Sequence, residues 1–200
     1  NLNGITAGGG ETQNLAVTAV SSNTSLIADP MVVYSSANAT GRLKFTPLAD
    51  QNGTATITVT VTDGGLDNDL ATTGDNATTS RTFDVTVNPV NDDPTLIQPD
   101  NLTIDEDASE QTVNLTGITA GGGETQNLAV TAVSSNTSLI ANPTVVYSSA
   151  AATGSLKFTP LADQEGTTTI TVTVTDGGLD NDLATTGDNA TTTQTFDVSV

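Results

Sequence analysis

Six residues of this chain have the types and spacing to do chemistry at one short stretch. Asn91, Asp92 and Asp93 stand between Pro89 and Pro94, and Asp105, Glu106 and Asp107 follow after one strand-like run. The prolines fix their own φ and push the residue before each away from helix, so the stretch reads as a stiff, extended connector. Carboxylates this dense repel one another unless a cation sits among them. A hard divalent ion such as Ca2+, which takes roughly 6–8 oxygen ligands, would turn that repulsion into a rigid joint. The plainer alternative is a polar linker with solvated acids.

A second acidic group lies in DGGLDNDLATTGDN, which carries Asp63, Asp67, Asp69 and Asp75 and recurs with Asp176, Asp180, Asp182 and Asp188. Asp67-Asn68-Asp69 has the alternate-residue spacing of acidic calcium loops, and the glycines permit sharp turns. The stretch is not an EF-hand, because the glutamate that closes such a loop is missing. Asp, Asn and Gly are also ordinary turn formers, so a loop calcium and a plain turn both stand as readings.

Composition narrows the chemistry. The 200 residues hold 23 Asp plus Glu against 4 Lys plus Arg, a formal charge of −19. Nucleic acid and anionic membranes both require a basic footprint, so neither is an expected partner. Cys and His are both absent, which removes thiolate and imidazole chemistry and the usual zinc ligands. Any metal must be bound by oxygen, and catalysis is not expected. No apolar run is long enough to insert in a membrane. A disulfide-free chain with the profile of a secreted protein fits a bacterial exoprotein.

An internal repeat sets the organisation. NLNGITAGGGETQNLAVTAVSSNTSLIA at Asn1 returns as NLTGITAGGGETQNLAVTAVSSNTSLIA at Asn114, a period of 113 residues, and Asn1–Val87 matches Asn114–Val200. Ten of the 87 pairs differ, among them Arg42/Ser155 and Arg81/Gln194. Copies this alike suit a spacer better than a catalyst. The expected units are residues 1–90, a first repeat lacking its opening strand, and 91–200, a second and complete one. Residues 91–113 have no counterpart ahead of Asn1. Excision from a longer array is the expected cause, and strand addition from another copy is the alternative.

Within each repeat, alternation of period two recurs between turn signals, as in a β-sandwich. Leu15, Val17 and Ala19 form one inward row. Leu43 and Phe45 form another, with Lys44 outward. Ile57, Val59 and Val61 form a third, and Phe83, Val85 and Val87 a fourth. No window keeps a 3.6-residue period, so helix is not expected. The threonines between Thr56 and Thr62 read as β-propensity and solubility on the outer face rather than a binding surface.

The run LKFTPLADQNGTATITVTVTDGG, followed by TFDVTVNPVNDDP, resembles the bacterial cadherin-like tandem repeats of giant surface adhesins, whose units end in a VNDxP-type linker. The resemblance covers nearly the whole chain. It implies an all-β fold of tandem immunoglobulin/cadherin-like Greek-key β-sandwiches joined end to end, an extracellular place on a bacterial cell surface, and calcium at the junctions. By position it puts the linker motif on Asn91, Asp92 and Asp93, and the acidic residue of the following first strand on Asp105, Glu106 or Asp107. The strand-end carboxylate falls on Asp63 and Asp176. The implied function is a structural spacer of an adhesin or surface filament, in contact with neighbouring repeats of its own chain. The alternative from another class is a calcium-dependent glycan- or protein-binding adhesion module.

Overall fold

The computed structural model describes all 200 residues. They form thirteen strands and no helix, so no helix is long and apolar enough to cross a membrane. The chain divides into two compact units, Asn1–Pro89 and Val90–Val200.

In the first unit, β1 (Leu2–Asn3), β4 (Thr40–Lys44) and β3 (Met31–Val33) make one sheet. The other sheet contains β2 (Leu15–Ser21), β5 (Gly53–Asp63) and β6 (Thr78–Val87), in the order β2-β5-β6. All pairings are antiparallel. In β5, Ile57 and Val59 of the predicted inward row are buried, as is Ala55 before them, whereas Val61 is only half-buried, like the threonines. β-Branched residues favour the pleated strand because it tolerates their stiff χ1.

The second unit has seven strands. β7 (Leu102–Thr103), β13 (Thr191–Ser199), β12 (Thr167–Asp176) and β9 (Leu128–Ser134) form a four-stranded sheet in that order. β10 (Thr144–Val146), β11 (Thr153–Phe158) and β8 (Gln111–Thr116) form the facing one. Leu115 and Leu156 from one sheet meet Ile170, Val172 and Phe196 from the other in a single core, which makes the unit a β-sandwich. β7 adds to β13 in parallel, unlike every other strand.

Two differences from the sequence expectation concern coverage. The stretch after Asn91 is not a bare connector. Pro94, Leu96 and Pro99 are buried in the second unit, Thr95 bridges to Thr119, and the chain then runs on into β7. In the first unit the inward row of β6 is more exposed than that of β13. Phe83 is 40% exposed where its counterpart Phe196 is 2% exposed. Alternation identifies the face a side chain takes; it does not say what covers that face.

Candidate functional site

The site is built where β12 ends. Asp176, the last residue of that strand, has no solvent exposure. Its Oδ1 accepts hydrogen bonds from the amides of Gly178 and Ala190, both at 2.9 Å. A buried carboxylate needs such donors, since desolvating an unpaired charge is costly. The remaining donor is Asn91. Its Nδ2 lies 3.2 Å from each oxygen of Asp176 and 3.1 Å from the main-chain oxygen of Asp188. On the other side of the amide, Gln126 Nε2 donates to Asn91 Oδ1 at 2.6 Å. Together these contacts orient the amide.

The neighbouring acids are held by the loop Gly121–Glu124. The Asp92 amide donates to Glu124 Oε2 at 3.2 Å. A Cβ on Gly121 would meet the carbonyl oxygen of Asp93 at 2.2 Å, and one on Gly122 would meet Asp92 Oδ2 at 2.0 Å. Both glycines have positive φ, so backbone conformation and close approach each require glycine here. Asp93 itself is exposed. Sequence reasoning missed Glu124, Gln126 and the glycine run. Their only signal was the unchanged recurrence of GGGETQ in both repeats.

Asp105, Glu106 and Asp107 lie elsewhere. The Ile104 amide donates to the carbonyl of Ser199, and Ser199 pairs with Thr167 at the start of β12. Asp107, at φ 65°, accepts a hydrogen bond from the Asp163 amide at 3.2 Å. Asp176 stands at the far end of the same strand, about 30 Å away at ~3.3 Å per residue. The two acidic runs that look adjacent in sequence therefore sit at opposite ends of the second unit. They do not converge on one ion.

The Asp67 and Asp180 loops are built from self-bonded turns. Asp67 Oδ1 accepts from the Asp69 amide and Asp69 Oδ1 from the Ala71 amide, both at 2.9 Å. Asp180 and Asp182 repeat this on Asp182 and Ala184. The Thr72 hydroxyl donates to Asp67, and Thr185 to Asp180. These hydroxyls, followed by the turn amides, hold both carboxyls below the usual aspartate range. Asp75 and Asp188 accept from the amides of Leu66 and Leu179 at 2.6 and 2.8 Å. Asp63, partly exposed, accepts from Gly65 and Ala77. No three acidic side chains converge in the manner of a metal site.

No family model matches the chain, and no curated protein matches it. Among solved structures, domains 4–9 of the surface-layer protein SbsC align over 100% of the chain at 20% identity, with a TM-score of 0.38. The protocadherin GammaB4 extracellular domain aligns over 92% at 16% identity, with a TM-score of 0.42. The chain spans 23% and 27% of those two structures. The titin domains z1z2 in complex with telethonin align over 94% of the chain at 12% identity, with a TM-score of 0.34, and the chain spans 81% of that structure.

Proposed function

We propose that this chain is a structural spacer of a bacterial extracellular adhesin or surface filament, with calcium stiffening the place where one repeat follows the next. Its role is mechanical rather than catalytic. The observation that carries the reading is the seat of Asn91 on Asp176. Both Asp176 oxygens and the Asp188 carbonyl lie around a single amide nitrogen, at 3.1 to 3.2 Å. A hard cation takes such an oxygen set, and Asp92 is one residue away.

Charge supports the same reading. The chain carries 23 acidic residues and one ion pair, Lys157–Glu110. Net charge this far from zero works against compact states unless counter-ions bind.

Calcium near 10 mM should raise the unfolding free energy by about 1–3 kcal/mol, given the ~10⁻⁴–10⁻³ M affinities typical of extracellular modules. Small-angle scattering at matched ionic strength should show a larger maximum dimension with calcium than with EDTA. A flat calorimetric titration together with superimposable scattering profiles would sink the proposal.

A further inference from the structure

In the second unit the segment 91–104 and β13 run side by side in the same direction. Asn91 starts at the Asp176 end of the sandwich, on the Asp176 carboxylate and the Asp188 carbonyl. The chain then follows the edge of β13 to the opposite end, where the Ile104 amide donates to the Ser199 carbonyl at 2.9 Å. Within that run β7 makes the parallel pairing, Leu102 with Val198 and Thr103 with Ser199.

Ahead of those two residues, side chains take over the bonding to β13. Gln98 Nε2 donates to the Thr195 carbonyl at 3.0 Å, and the Asp197 amide donates to Asn101 Oδ1 at 2.9 Å. Underneath, Leu96 is buried, and Leu102 and Ile104 pack on the core. β13 is tied in turn to β12 over nine residues, and Val200 exchanges main-chain bonds with Gly166 at 2.8 and 3.1 Å.

The direction of a pull decides how such a seam fails. Parallel strands pulled at the start of one and the end of the other must slide along each other. Every bond between them then lies across the pull and carries load at the same time. Pulled apart at one shared end, the same strands open bond by bond, and only the outermost contact carries load. An antiparallel opening strand would have put both pulling points at a shared end. Sliding breaks several hydrogen bonds together, each worth a net ~0.5–1.5 kcal/mol, and the lifetime depends exponentially on the barrier.

We propose that the parallel seam between segment 91–104 and β13 is a load-bearing clamp, which resists tension applied between Val90 and Val200 and gives way to a sideways pull. Gln98 and Asn101 lengthen the seam beyond the two paired residues of β7. The inference rests on the spacer reading for its use in the molecule, but the seam itself requires no calcium.

Single-molecule force measurements on the whole chain in EDTA test the clamp. The chain has no cysteine, so introduced thiols give unique attachment points. One variant carries Val90→Cys, at a position 75% exposed, and a cysteine appended after Val200, which loads the seam in shear. A second carries Glu106→Cys, also at an exposed position, with the same appended cysteine, and opens the seam from the Ile104–Ser199 end. Both pairs of attachments bracket the second unit, so the first stays unloaded.

At one fixed force the second unit should survive at least about tenfold longer in shear than in peeling. Gln98→Ala/Asn101→Ala removes two hydrogen bonds and no apolar contact. It should shorten the lifetime about tenfold in shear and less than about threefold in peeling. A smaller ratio between the two directions overturns the proposal. So does a double variant that is unaffected, or equally weakened in both directions. Because calcium is absent throughout, failure here leaves the calcium reading untouched, and a flat calcium titration leaves the clamp standing.

Discussion

Asn91 Nδ2 lies within 3.2 Å of both carboxylate oxygens of Asp176, although 85 residues separate the two in sequence. This contact ties the start of the second unit to the end of its longest strand. Because Asp176 has no solvent exposure, the Asn91 amide is a structural requirement there as well as a candidate ligand.

Replacing Asn91 with alanine should therefore destabilise the second unit by about 1–3 kcal/mol, the cost of leaving a buried acceptor short of a donor. Hydrogen exchange should show faster opening of β12 and no change in β5, since the Asn91 side chain bonds only within the second unit. Equal opening of both strands, or of neither, would refute this account.

The two matched phenylalanines should differ in cost. Phe196→Ala removes a ring that is 2% exposed and should cost about 3–5 kcal/mol. Phe83→Ala removes one that is 40% exposed, and less than about half that cost is expected for a ring already in water. Urea denaturation of the two variants makes the comparison, and equal losses would contradict the difference in burial.

Asp67, like Asp180, contributes to the acid limb of stability. The Thr72 hydroxyl and then the Asp69 amide stabilise its charged form and hold its folded pKa below the ordinary value. A group depressed in this way contributes stability above its unfolded pKa, about 3.9, and that contribution is lost as pH falls through the lower folded value. Thr72→Ala should move the Asp67 titration, followed by carboxyl NMR shifts, back up toward the ordinary range. An unmoved titration would show that the hydroxyl is not the cause.

Glycine substitutions should separate conformational need from mere occurrence. Gly178 has φ 59°, and a Cβ there would meet the Asp188 carboxyl at 2.5 to 2.7 Å. Gly178→Ala must expel that carboxyl from the Leu179 amide and should cost about 1–3 kcal/mol. Gly187 has no heavy atom within 4 Å of its added Cβ, so Gly187→Ala should stay within about 0.5 kcal/mol. Thermal melts of the two variants should differ accordingly.

The sequence alone determined the repeat, its period, the all-β character and which side chains share a face. Those properties follow from local chemistry: alternation along a strand, turn residues at its ends, and identity between copies. Ile57, Val59, Ile170 and Val172 were legible in this way because a pleated strand sends alternate residues to opposite sides. Only the tertiary structure decided what lies beside what. Asp93 and Asp105 are close in sequence, yet an extended chain covers about 3.3 Å per residue, so the chain between them runs the length of the sandwich and separates them. Glu124 and Gln126 reach Asn91 and Asp92 only because a glycine loop can pass that close. Phe83 carries the same local pattern as Phe196, yet it is 40% exposed where Phe196 is 2% exposed, because alternation identifies a face and not what covers it.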